Sequence, residues 1–405
     1  MNPTRSAKAA VLLCAALAGP LVLSACTDKT EASEGDIAVT STDDSCDLAT
    51  ADAQTGNVSF NVTNNGDKIT EFYVYGNNNR VLGEVENIGP GLTGKLTVEI
   101  VEPGTYQTAC KPGMVGTGIR QDLTVTGETK EKAKAPADVE QAKASYLDYV
   151  RGQVNGFAAQ TAVFVAAIKA GDLEAAKAQF GQTRTFYERI EPVAESFPDL
   201  DPAIDMRWDD TEDGAAPFTG FHRLERFLWP PQTTDIGENP GDVTQADYDN
   251  AVATDNKAAA DTAADQLLVD VNSLKTEVDK PDFVFETGSF VKGPQALIDE
   301  VAATKVGGEE DRYSHTDLWD FAANVDGSET LIAAMEPIIS AKNPELMDKI
   351  TEQFAAVRAS IDQYQTADGY QSYDQVPEEA RKAFSDQIDA LSQSLSLVPG
   401  LVMTQ

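Results

Sequence analysis

The chain has 405 residues, 66 acidic and 31 basic, with two His, four Cys and a formal net charge of −35. That length exceeds one domain of ~150 residues, and 41% apolar residues exclude wholesale disorder. The negative charge excludes a phosphate-tracking nucleic-acid surface and adsorption to anionic lipid, leaving a protein that attracts cations or is kept soluble by charge.

Arg5 and Lys8 give a short basic start, followed by an apolar run from Ala9 to Leu23. At roughly 15 residues the run is short for a bilayer span. Residues 1–25 therefore read as a secretory signal. The run ends Leu23-Ser24-Ala25-Cys26, which resembles the lipobox of bacterial lipoproteins. Cys26 would then be lipidated and become the mature N-terminus, anchored to the extracytoplasmic face of the cell membrane. The alternative is an ordinary signal that happens to contain a cysteine. Removing the leader takes Arg5 and Lys8 but no acid, which moves the net charge to −37. Residues 26–44, rich in Ser, Thr, Asp, Glu and Gly, are expected to form a flexible tether. Outside the cytoplasm a disulfide can persist.

Residues 45–127 carry strand signals. Val58-Ser59-Phe60-Asn61-Val62 and Leu96-Thr97-Val98-Glu99-Ile100 alternate with period two, and Glu71-Phe72-Tyr73-Val74-Tyr75 is aromatic and β-branched. Asn64-Asn65-Gly66-Asp67 and Pro103-Gly104 mark turns. The pattern predicts a small all-β sandwich or barrel. Residues 128–136 are a charged, Lys-rich linker, and Pro136 can open a helix.

From 137 to 405 the apolar period becomes helical. Val139, Ala142, Tyr146, Val150, Val154, Phe157, Thr161, Phe164 and Ile168 recur at three or four. Gly and Pro punctuation implies about eight helices, enough for two packed four-helix bundles, with a break near residues 281–287. His222 precedes Leu228-Trp229 and His315 precedes Leu318-Trp319, a faint echo that suggests an ancient duplication.

His222 and Glu225 lie three apart, on one face of a helix. An imidazole and a carboxylate at that spacing can grip one metal ion. Glu188 and Glu191 repeat the spacing upstream, and Asp205 lies in an acidic stretch before His222. A bundle could converge Glu188, Glu191, Asp205, His222 and Glu225 on one point. Such an oxygen-rich set suits iron, manganese or calcium better than copper(I), with zinc as a substitute. The opposing reading of Glu188 and Glu191 is a solvent-facing stripe paired with Arg184 and Arg189. Around His315, Glu309, Glu310 and Asp311 suggest a second cation site. The competing reading has Ser314 or Thr316 capping a helix that starts at Asp317, with His315 serving packing.

Three stretches in order resemble the EfeO family of extracytoplasmic iron-uptake components. They are the HxxE segment, Asp199 to Asp210 (DLDPAIDMRWDD) and Gly307 to Phe321 (GGEEDRYSHTDLWDF). The resemblance implies a cupredoxin-like domain over 45–127 and an imelysin or "peptidase"-like helical domain beyond it. It implies iron, Fe(II) or Fe(III), bound at an HxxE site mapping to His222 and Glu225, with Glu188, Glu191 and Asp205 as further ligands. It implies delivery to a membrane iron permease with a heme-peroxidase-like partner. Peptidase activity is not expected, because no H-E-x-x-H helix is present.

Cys110-Lys111-Pro112-Gly113-Met114 resembles a cupredoxin copper loop, but residues 45–127 contain no His. What remains is Cys110, Met114, Cys46 and carboxylates such as Glu71 and Glu86. In the family these suggest a copper or ferric site. A Cys46–Cys110 disulfide and two free thiols are the alternatives. Two other functions stay open: a copper-assisted ferroxidase, and a polymer-binding surface lipoprotein with a structural metal. The latter needs an exposed aromatic stripe.

Overall fold

The computed structural model describes residues 36–76, 81–113, 118–130, 135–197, 199–211, 214, 216–237, 241–303 and 305–403. The expected signal, Cys26 and Met114 lie outside these residues, as does the side chain of Glu86.

Among the described residues, nine strands form the N-terminal domain: β1 (Ile37–Ser41), β2 (Cys46–Leu48), β3 (Asp52–Gln54), β4 (Gly56–Asn64), β5 (Thr70–Tyr75), β6 (Val81–Ile88), β7 (Thr93–Ile100), β8 (Gly104–Pro112) and β9 (Ile119–Thr126). They make two sheets, ordered β2-β1-β4-β7 and β3-β9-β8-β5-β6. The period-two pattern sets the inward faces. Val58, Phe60 and Val62 of β4 meet Phe72 and Val74 of β5 and Leu123 of β9 in one apolar core.

The domain starts earlier than the expected residue 45. Ile37 and Val39 alternate inward, and β1 runs parallel to β4 with Ile37 opposite Phe60 and Val39 opposite Val62. The two β-branched residues, flanked by polar ones, were enough to recruit this end of the expected tether into the sheet.

Cys46 and Cys110 are joined by a disulfide, with their Cα atoms 5.5 Å apart. Cys46 lies in the first sheet and Cys110 in the second, so the bond staples the sandwich across its buried interior. Of the chemistries expected for this pair, the cross-link is therefore the one formed. A disulfide sulfur offers no thiolate, and thiolate is the form that ligates metal, so the expected copper or ferric site has no Cys110 ligand. Glu71 is buried on β5 and accepts a hydrogen bond of 2.9 Å from the Tyr73 hydroxyl.

The C-terminal domain is helical: α1 (Ala137–Ala170), α2 (Leu173–Glu188), α3 (Asp201–Asp205), α4 (Gly220–Leu228), α5 (Gln245–Thr254), α6 (Lys257–Val278), α7 (Thr287–Ala303), α8 (Asp317–Lys342), α9 (Pro344–Asp362), α10 (Glu378–Leu395) and α11 (Val398–Met403). Gly171, at φ 75°, ends α1, and the Asp172 side chain caps α2 by accepting from the Ala175 amide. α1, α2 and α6 pack side by side with α4 against α6, while α7, α8, α9 and α10 form the second bundle. The two halves share α8, which also packs on α1 and α2, and one apolar cluster runs through both. The two histidines are not equivalent. His222 lies within α4, whereas His315 lies in the turn before α8 at φ 56°. The expected echo of a duplication therefore has no structural counterpart at these residues. No helix among the described residues is long and apolar enough to cross a membrane.

The cross-link closes a loop of 64 residues, which the chain-entropy argument values at about 4 kcal/mol. Peptide mapping without reductant is expected to recover Cys46 and Cys110 on one cross-linked species. Reduction should lower sandwich stability in denaturant unfolding by that amount. Free thiols at both positions would overturn the assignment.

Candidate metal centre

The site forms where α2, α3, α4, the segment 305–316 and the start of α8 meet. Its assembly starts with a glycine. Gly220 opens α4 at φ 78°, and a Cβ there would lie 2.1 Å from the Ile204 carbonyl oxygen. Only glycine permits this close approach. It brings the end of α3, with Asp205, against the first turn of α4, with His222.

His222 is buried, and its two ring nitrogens face different carboxylates. Nδ1 lies 2.9 Å from Glu225 Oε2 and 3.8 Å from Asp311 Oδ1. Nε2 lies 3.5 Å from Asp205 Oδ1 and 3.6 Å from Glu310 Oε1, and has no hydrogen-bond partner. Asp205, His222 and Glu310 each place a donor atom within 4.8 Å of the other two, as do His222, Glu225 and Asp311. Glu225 is held on both oxygens. Oε1 accepts from the Tyr313 amide (3.0 Å), the Ser314 amide (2.7 Å) and the Ser314 hydroxyl (2.8 Å).

Three cations balance the carboxylates. Arg184 is fully buried and pairs with Glu188 (2.6 Å), Glu310 (2.9 Å), Asp320 (3.3 Å), Asp311 (3.5 Å) and Asp205. Lys305 pairs with Glu191 (2.7 Å), Glu188 (3.3 Å) and Glu310 (3.7 Å). Arg207 reaches Glu310 Oε2 at 3.3 Å. Asn324 of α8 donates to Glu188 at 2.9 Å.

These contacts set the protons. Burial and the Arg184 guanidinium pull the His222 imidazole down, but Glu225, Glu310 and Asp205 outweigh them and hold it at about 10. Burial lifts Asp205 to about 7 against the pull of Arg184. Burial, with Glu225 adding to it, lifts Asp311 to about 6. Burial also pushes Asp317 and Asp320 well above the usual carboxylate range. Glu310 goes the other way: burial raises it, but Lys305, His222, Arg207 and Arg184 hold it well below that range.

Of the five residues expected to converge on one point, Asp205 and Glu225 both reach His222 but at opposite ring nitrogens, Asp205 at Nε2 and Glu225 at Nδ1, and they fall in two separate donor groups. Glu188 and Glu191 are close by but engaged with Lys305, Arg184 and Asn324. They are no solvent-facing stripe, since Glu188 is fully buried. The carboxylates that complete the two groups are Glu310 and Asp311, which in sequence suggested a second cation site near His315 beside a capping and packing alternative. Among the described residues, candidate ligand groups gather around His222 and not His315. α8 starts at Asp317 with Thr316 in the N-cap position, as expected, but neither the Ser314 nor the Thr316 side chain makes a capping hydrogen bond. Ser314 donates to Glu225, and the Thr316 hydroxyl to Asp311. The donor set, hard oxygens with one imidazole, fits iron, manganese or zinc.

Comparison with known proteins agrees with this architecture. The imelysin family profile matches residues 142–398, and the cupredoxin-like domain profile matches residues 13–125. "Iron uptake system component EfeO" of Escherichia coli strain K12 is 38% identical over 371 residues, covering 90% of this chain and 91% of that protein. The proteins of the same name from Shigella flexneri and from Escherichia coli O157:H7 match with the same identity and coverage. With both domains matched in order and nine-tenths of its length aligned, the chain belongs to the EfeO family of iron-uptake system components.

Proposed function

We propose that this protein captures iron at the Asp205–His222–Glu310 group and passes it to a membrane permease. The observation that carries the reading is His222 Nε2, a buried ring nitrogen without a hydrogen-bond partner, facing two carboxylates. Buried polar atoms are rarely left so, and a cation held with these two carboxylates would give the deprotonated Nε2 its partner, in competition with Arg184 for their oxygens. The iron-uptake role of its relatives supports iron as the cargo. The leader ending at Cys26 supports a lipid anchor on the extracytoplasmic face, within reach of the permease and a heme-peroxidase-like partner. Zinc would bind the same donors as a substitute. The ferroxidase alternative loses its thiolate to the disulfide. Among the described residues the exposed large apolar side chains are Ile, Leu, Val and Met, so the aromatic stripe needed by a polymer binder is missing there.

Calorimetry with iron is expected to give tight binding to the wild type, weakened by about 100-fold or more in His222→Ala and in Glu310→Gln, at or above the usual cost of losing an outer-shell partner. Unchanged affinity in either variant would sink this site.

The protons give a second expectation. His222 and Asp205 both have higher pKa values in the fold than the ordinary 6.5 and 3.8. The stability they lend is complete below the ordinary value and is lost as pH rises through the folded one. For Asp205 that window ends at about 7, and for His222 at about 10. The thermal midpoint of the metal-free protein should therefore fall as pH rises from about 6 to about 9. Bound iron replaces these protons, so the loaded protein should lose this fall and iron affinity should rise over the same interval. A metal-free midpoint that rises with pH would contradict the proton assignment.

A further inference from the structure

The HxxE spacing invites the reading that both of its residues grip the ion. The geometry points elsewhere, and the inference rests on the metal reading above. We propose that Glu225 is a positioning residue, which fixes the His222 ring so that Nε2 alone takes the ion, with Asp205 and Glu310 beside it.

Three observations carry it. First, the Glu225 carboxylate is already committed. Oε1 takes three donors, two of them backbone amides that cannot swing away, and Oε2 takes His222 Nδ1 at 2.9 Å. Each carboxylate oxygen has about two lone pairs: Oε1, with three donors, has none to spare, and Oε2 spends one of its two on the imidazole. Second, the committed nitrogen and the unpartnered one are different. A hydrogen on Nδ1 directed at Glu225 leaves Nε2 as the ring's free lone pair once the second proton is lost. This is the arrangement by which a metal-binding imidazole donates its other N–H to a carboxylate, fixing tautomer and ring plane. Third, the turn that holds Glu225 is built for the purpose. His315 adopts φ 56°, a region that side chains other than glycine's rarely enter. Its amide donates to the Asp311 carbonyl at 2.7 Å, and its carbonyl accepts from the Tyr373 amide at 2.9 Å. Pinned at both ends, the turn aims the Tyr313 and Ser314 amides at one oxygen. The second histidine of the chain thus serves the first through Ser314 and Glu225, without touching the ion.

The test is a long-range proton–nitrogen NMR spectrum of the full chain, labelled at histidine and loaded with zinc alone. With two histidines in the chain, assignment is direct. The expected result is a protonated Nδ1 on His222 and a zinc-shifted Nε2. Zinc on Nδ1 would overturn the proposal and leave the metal site standing. A wild type that binds neither zinc nor iron would overturn both readings. Ser314→Ala removes one donor from Glu225 and touches no ligand. It should weaken zinc binding by about tenfold, within the range for outer-shell partners. Were Glu225 a ligand, freeing its oxygen would leave binding unchanged or tighter, and that result would overturn the proposal. Glu225→Gln tests it independently. With two backbone amides facing the amide oxygen, its NH2 points at Nδ1 and drives the ring proton to Nε2. Folded protein, checked by circular dichroism, should then show the Nε2–H tautomer and bind zinc about 100-fold more weakly. Wild-type affinity in this variant would refute it.

Discussion

The Arg184 guanidinium governs how the helical domain can fold. It has no exposed surface, and five carboxylates surround it. A charge taken that far from water costs several kcal/mol unless it is paired, and the same holds for each carboxylate that stays ionised. Neither side is tolerable in the interior alone. The cage is therefore stable only when complete, and completing it requires α2, α3, the 305–316 segment and α8 at once. Partners as distant in sequence as Arg184 and Asp320, 136 residues apart, are held to one arrangement. The continuous apolar core supplies the bulk of the burial energy, while the cage restricts which packing satisfies it.

The same guanidinium stands in the ion's way. Its nitrogens engage Asp205 Oδ1 and Glu310 Oε1, the two oxygens nearest His222 Nε2. On the proposed reading, an entering cation competes with an internal cation for the same lone pairs. It also displaces the protons of His222 and Asp205. Net affinity is then the difference between strong ligation and the loss of strong native contacts. On that reading the competition moderates binding and leaves the ion able to depart.

Much of this was legible in the chain. The strand alternation of Val58 to Val62 and the three-four spacing of Val139 to Ile168 report burial directly, because each marks one face of a regular element. His222 stood out because histidine is so scarce, and Asp205 lies within the same acidic stretch. Glu310 and Asp311 were harder. They are about 90 residues beyond His222 and lie beside the other histidine, so proximity in sequence tied them to that residue if to any. Only the fold of the 305–316 segment turns them inward. Arg184 was visible as an i, i+4 partner of Glu188, a pattern that on most helices is a weak surface pair. Nothing in the spacing says that this pair is buried. The roles within HxxE depend on which nitrogen faces which oxygen, and spacing carries no information about that.

The enclosure of the site has a kinetic consequence. His222, Glu310 and Asp311 are at most 3% exposed, and Asp205 has 9% of its side chain exposed. An ion held among them cannot exchange by simple ligand dissociation into solvent. On the proposed reading it leaves when the surrounding elements part, so its residence time depends on how often the protein opens as well as on bond strength. Binding strength and dwell time are then adjustable separately. A docking partner that pries the 305–316 segment from α4 would discharge the cargo at the moment of contact, without any change in the ligands themselves.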